Sequence, residues 1–246
     1  MTINTSQLGR GIRPYISGLQ ISWVSNTTLS VAAGICSDSS NNFDINIESA
    51  LTLNAAVNGV NGLDTGSFAA STMYNIFVIW QQKGFSVPAV IMSASATPIM
   101  PQGYDLYRRI GVWSSDSSTH FILMRQYCSN EGSVRNYEYD APISVLSGGT
   151  SSTYAAVSLA NVVPAIQPVM VKFSAGCAPT AAGNTAVVRP SGSASTTYRV
   201  INGAVAATIQ WVEITVPSLL ISSVPKVDYV VTGALTLLVA GFVDNV

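Results

Sequence analysis

The 246-residue chain has a single histidine, His120, so any Ser/His/Asp or Cys/His arrangement has to be built around it. It stands in STHFILMRQ, at the start of an apolar stretch, and no GxSxG nucleophile elbow occurs in the sequence. A structural or solvent-facing strand histidine fits this setting better than a catalytic base. Glycoside hydrolysis instead needs two carboxyl groups about 5 to 10 Å apart in a cleft. Asp64, Asp105, Asp116, Glu131, Glu138 and Asp140 all fall near turns or strand ends, where acids ordinarily accept local hydrogen bonds. The cysteines Cys36, Cys128 and Cys177 are scattered, odd in number and without CxxC spacing, which suggests neither a disulfide framework nor a zinc site. NGVNGLDTG, residues 58 to 66, has the glycines of a phosphate loop but neither the Lys-Ser/Thr pair nor a following helix, so it reads as a turn. Trp80, Trp113, Tyr104 and Tyr107 would make a sugar-stacking platform, although aromatics on strands more often fill cores. The expectation is a protein with no catalytic residues, no cofactor and no metal.

Composition narrows the class further. Charged residues make up 9% of the chain and the mean hydropathy is +0.37, against about 25% charged residues in an average soluble protein. Either Ser, Thr, Asn and Gly form a neutral hydrogen-bonding surface, or copies of the chain and partners cover it. Eleven Lys and Arg balance twelve Asp and Glu, and no basic run is long enough to track a phosphate backbone, so nucleic acid is not an expected partner. MTINTSQLGRGIRPY lacks the apolar core of a secretory signal and is expected to stay on the mature chain. The apolar run ALTLLVAGFV, residues 234 to 243, is about half the roughly 20 residues of a membrane helix and is closed by Asp244. It is expected to be a buried strand, with no membrane insertion. The cysteine usage fits assembly in a reducing cytosol.

Short stretches of alternating apolar residues recur between turn signals, and helical periodicity is missing, so the fold class is all-β. Phe43, Ile45 and Ile47 alternate with Asp44, Asn46 and Glu48. TMYNIFVIW and FSVPAVIMS flank QQKG, where Gly84 suits a tight hairpin; Pro88 places its strand on an edge or at a bulge. After VRNYEYDAP the chain becomes richer in Ala, Val and Thr, and SGGTSS reads as a linker. The expected organisation is an extended arm over 1–17, a first β domain over 18–146, a linker over 147–152 and a second β domain over 153–246. Strands in the second domain are expected near 153–159, 168–175, 184–189, 196–201, 204–216, 226–231 and 234–242, a spacing that suits a sandwich or barrel.

Within TPIMPQGYDLYRRIG the adjacent Arg108 and Arg109 point to opposite faces of a strand. Counting outward places Arg108 with Tyr104, Leu106, Ile110 and Val112, the more apolar side. A buried guanidinium there needs a carboxylate, a row of carbonyls or an adjoining subunit. A bulge at Gly111 would change which arginine faces inward. Pro98, Pro101 and Gly103 make the preceding loop rigid and bent.

NGLDTGSFAASTMYNIFVIW and MSASATPIMPQGYDLYRRIGVW together resemble a segment of tailed-bacteriophage structural proteins. That segment has an N-G-L-D-x-G turn, an aromatic-rich strand, an S-x-S-x-x-P-x-x-P-x-G-Y loop and an R-R/I-G strand. ISGLQISWVSNTTLSVAAGICSDS is similar to the G-L to G-x-x-x-D-S opening of such proteins, and VVRPSGSASTTYRV and LTLLVAGFVDNV are similar to their C-terminal halves. The resemblance implies a virion component such as a head decoration or cement protein, a head fibre or a tail fibre. Such proteins are homo-oligomeric, often homotrimeric, and sit on major capsid or tail proteins in a virion assembled in the bacterial host cytoplasm. Arg10, Arg13 and Tyr15 of the arm are the expected anchors, and Arg108 and Arg109 the expected assembly contacts. Two alternatives stand beside this one: a receptor-binding fibre module that grips a host surface glycan, and a polysaccharide depolymerase.

Overall fold

The computed structural model describes residues 15–82, 87–128, 133–165, 169–196 and 198–246. Every long regular element among them is a strand, so the protein is all-β. The chain forms two compact units. The first takes the residues up to Phe121, with Gln126–Arg135 and Val246; the second takes Ile122–Arg125 and Asn136–Asn245.

The first unit begins with β1 (Ile16–Gly18), β2 (Ile21–Ser25), β3 (Thr28–Val31), β4 (Gly34–Ser37), β5 (Asp44–Ile47) and β6 (Leu51–Asn54). It continues with β7 (Met73–Trp80), β8 (Ala89–Ser93) and β9 (Leu106–Ser114), after which β10 (Met124–Cys128) and β11 (Val134–Gly149) carry the chain between the units. β1, β4 and β5 form one sheet; β2, β3 and β6 lie in a second, with β10 beside β2; β8, β7 and β9 form a third. Where one face is exposed the burial alternates, as in β5, whose Ile45 and Ile47 point inward and Asp44 and Asn46 outward. β7 is central in its sheet and buried from Tyr74 to Ile79, which is why MYNIFVIW reads as a nearly continuous apolar run. Phe77, Ile79, Ala89 and Ile91 form a core cluster against Met100, Tyr104 and Tyr107. Pro88 immediately precedes β8, an edge strand, so its missing N–H costs no ladder bond. Lys83 and Gly84, expected to turn the β7–β8 hairpin, lie outside the described residues.

The second unit adds β12 (Ala155–Ser158), β13 (Met170–Pro179), β14 (Thr185–Pro190), β15 (Arg199–Asn202), β16 (Gln210–Pro217), β17 (Leu219–Ile221), β18 (Val224–Val231) and β19 (Gly233–Asn245). Within this unit β16, β13, β19 and β11 are hydrogen-bonded neighbours in that order; another sheet runs β12-β18-β14-β15, with β17 pairing β18. ALTLLVAGFV falls within β19, an interior strand whose Leu235, Leu237, Val239 and Phe242 are fully buried. Two boundaries follow from hydrogen bonds that composition does not reveal. Ser147–Gly149 of SGGTSS still belong to β11, Gly148 N donates to Thr236 Oγ1 at 3.2 Å, and Val231 N donates to Ser151 O at 2.9 Å. The strand expected from residue 204 begins at Gln210, because the intervening chain folds back and Ala207 N donates to Pro179 O at 2.8 Å.

Candidate functional site

The register of β9 decides where the two arginines point. β9 pairs with β7 as Ile76↔Gly111 and then Phe77↔Arg109, so Ile110 is an extra residue and forms a bulge. Beyond it, Arg109 shares the face of Phe77, and its Nε donates to Asn75 Oδ1 at 3.0 Å. Arg108 pairs with Val78 on the other face, and its Nη2 donates to Val246 O at 3.1 Å. Arg108 is half-buried, and burial pulls its pKa below the usual arginine value while nearby Cys36 and Asp38 push it back up. Cys36 is fully buried, and that burial pushes its thiol up to about 12 despite the opposing field of Arg108. It is therefore a neutral thiol at pH 7 and a poor nucleophile.

Asp38 organises the loop that follows β4. Its Oδ1 accepts Asn42 N and Phe43 N, both at 2.8 Å, and its Oδ2 accepts Ser40 N at 3.0 Å. Burial raises the pKa of Asp38, but these bonds and the one from Ser40 Oγ outweigh it and hold the carboxyl below its usual value. The Asp-Ser of the G-x-x-x-D-S segment thus has a local structural task. Tyr15, the one described member of the expected anchor set, is tied to the same strand: Ser37 N donates to its carbonyl at 3.1 Å. Arg10 and Arg13 lie outside the described residues.

The two stretches on either side of β7 and β8 meet through Asp64. Its Oδ1 accepts Thr65 N at 2.8 Å and its Oδ2 accepts Ile99 N at 2.9 Å, joining NGLDTG to TPIMPQGY. Gly103 turns the latter with φ +87°, and Tyr104 N donates to Pro101 O at 3.1 Å, the geometry that favours glycine at the third turn position. The remaining acids also serve nearby donors. Asp105 accepts Gln82 N and Asp116 accepts Ser118 N and His120 N, each at 2.8 Å. His120 Nδ1 lies 3.7 Å from Asp116. Asp140 lies 3.5 Å from Arg125 and Glu138 3.6 Å from Lys172, both in exposed pairs; Glu131 lies outside the described residues. Among the described residues no group of three or more His, Cys, Asp or Glu is placed to hold a metal. Of the four aromatics suited to stacking, Trp113 is fully buried and Tyr104 and Tyr107 pack on the core. Trp80 lines an open groove of about 490 Å³ with Asp44, Asn46, Glu48 and Pro88.

Two charged sites were missed in the sequence. Arg135 is 1% exposed; its Nη2 donates to Gly18 O at 3.1 Å, and its Nε has no hydrogen-bond partner. The available signal was strand parity, since Arg135 shares the inward side of β11 with Tyr137 and Tyr139. In the second unit, Arg189 and Asp228 are directly opposed across β14 and β18, with Nε 3.7 Å from Oδ2. Asp228 also accepts Ser191 Oγ at 2.7 Å and Gly192 N at 3.0 Å. The Arg189 guanidinium carbon sits 3.2 Å from the centre of the Tyr154 ring, and Nη1 donates to Ser195 O at 3.0 Å. The RPSGS stretch is therefore a turn held by one carboxylate and one guanidinium.

Compared with known proteins, the chain matches no family model, no curated protein and no solved structure.

Proposed function

We propose that the protein is a non-enzymatic structural component of a tailed-bacteriophage particle, which decorates or stabilises the capsid or tail through protein contacts and self-association. The observation that carries this reading is the Asp64 junction. NGLDTG and TPIMPQGY, two segments of the resemblance to phage structural proteins, are bonded to each other by one carboxylate, which supports reading them as parts of one folded substructure. The sparse charge and the exposed apolar side chains of the second unit, among them Trp211 at 52%, also suit a surface that other copies cover. In this reading the arm with Arg10, Arg13 and Tyr15 anchors the protein to the shell or tail, and three copies associate.

A second reading, a fibre module that binds a host glycan, is favoured by one feature: the groove in which Trp80 stands beside the outward acceptors Asp44, Asn46 and Glu48. The two readings part on solution mass. Light scattering coupled to size exclusion is expected to give three chains of 25.8 kDa, or a multiple of three. A monomer at every concentration contradicts the self-associating structural role.

A further inference from the structure

β16 is the end strand of its sheet and is eight residues long, whereas β12 and β15, the end strands of the other sheet in the same unit, have four each. Natural sheets blunt their edges with short strands, charges or prolines. β16 has one charge, Glu213, and no proline before Pro217. Trp211 and Val212, which point to opposite faces, are 52% and 41% exposed, and Ile209 just before them is 54% exposed.

The direction of the main-chain groups follows from two hydrogen bonds. Ser218 N donates to Val169 O at 2.9 Å, one step beyond the Met170↔Pro217 pair, so the even-numbered residues of β16 face β13. Trp211, Glu213 and Thr215 then turn their main-chain groups outward. Consistently, Arg199 Nε takes Thr215 O from that side at 2.9 Å. Arg199 thereby closes one end of the edge, and among the described residues none pairs with the outward main chain of Trp211 or Glu213.

We propose that this open edge pairs antiparallel with the same edge of a second copy, about a two-fold axis at Val212. The inference rests on the self-association in the proposed function and specifies one of its contacts. A row of outward N–H and C=O groups is satisfied by an extended strand, and an edge with apolar side chains on both faces is itself in need of cover. Glu213 and Arg199 offset each other near the edge, and the chain carries a formal charge of only -1, so net repulsion between two copies is small. The register follows from the chemistry. Centring on Glu213 opposes two carboxylates, which is unfavourable. Centring on Val212 sets Trp211 of each copy against Glu213 of the other as hydrogen-bonded pairs and puts valine on valine. A two-fold contact cannot close a ring of three, so this edge joins one trimer to another, and the mass expected with it is that of six chains.

In this register Val212 meets itself at a non-hydrogen-bonded position, with Cα atoms about 4.5 Å apart, inside the roughly 4.4 to 6.8 Å range of disulfides. Val212→Cys is therefore expected to give a thiol-reversible covalent dimer on a denaturing gel after mild oxidation. Wild type and Glu213→Cys, treated alike and checked for native circular dichroism, should give at least tenfold less. No dimer above wild type, or equal dimer from Glu213→Cys, overturns the Val212-centred pairing. A mass of three chains overturns the edge pairing and places self-association on another surface; a monomeric mass rejects the wider reading as well.

Discussion

Asp228→Ala is expected to destabilise the second unit by roughly 3 kcal/mol or more, the cost of removing one partner from a buried ion pair. Asp228 and Arg189 have side chains 11% and 12% exposed, so solvent cannot stand in for the lost carboxylate. The change also removes the acceptor for Ser191 Oγ and Gly192 N, and it leaves Arg189 Nε, already without a hydrogen bond, without a nearby charge. Asp228→Asn keeps acceptor capacity for the turn but loses the charge, so it should fall between Ala and wild type. Thermal melting followed by circular dichroism reads the series. An Asp228→Ala variant within about 1 kcal/mol of wild type would mean that Tyr154 and Ser195 hold Arg189 without the carboxylate.

Arg135 gives the second large effect, with a different pattern. Arg135→Ala should cost about 3 kcal/mol, because it leaves a cavity and strands the Gly18 carbonyl. Arg135→Met also strands the Gly18 carbonyl but leaves no cavity, so it should cost about 1 to 2 kcal/mol, less than alanine, since the guanidinium is itself imperfectly bonded in the interior. Urea titration of both variants distinguishes packing from charge. A methionine variant as unstable as the alanine variant would show that the charge and its bond to Gly18 are what matter.

The contrast between these sites and the rest of the chain shows what a sequence can carry. Period-two alternation in Phe43–Ile47, the continuous apolar run of β7 and the capped run of β19 declare strands because burial acts on side chains one residue at a time. Local acids such as Asp64 and Asp116 declare turns for the same reason. Partners far along the chain were not legible. Arg108 reaches Val246, 138 residues away, and the Arg189–Asp228 pair exists only because β14 lies beside β18. The bulge at Ile110 could be foreseen as a possibility near Gly111, but its position depends on the register with β7. Residues 204–209 read as the start of the next strand, yet Ala207 N donates to Pro179 O at the end of β13 and Ala204 N to the Gln210 side chain, and side-chain pattern does not report main-chain partners.

The proposed role requires that this protein be built into a phage particle. Mass spectrometry of gradient-purified particles from cells that produce the protein tests this proposal directly. The protein is expected at a fixed ratio to the major capsid protein through successive gradients and salt washes. Its presence in the lysate but absence from intact particles would contradict a structural role in the virion.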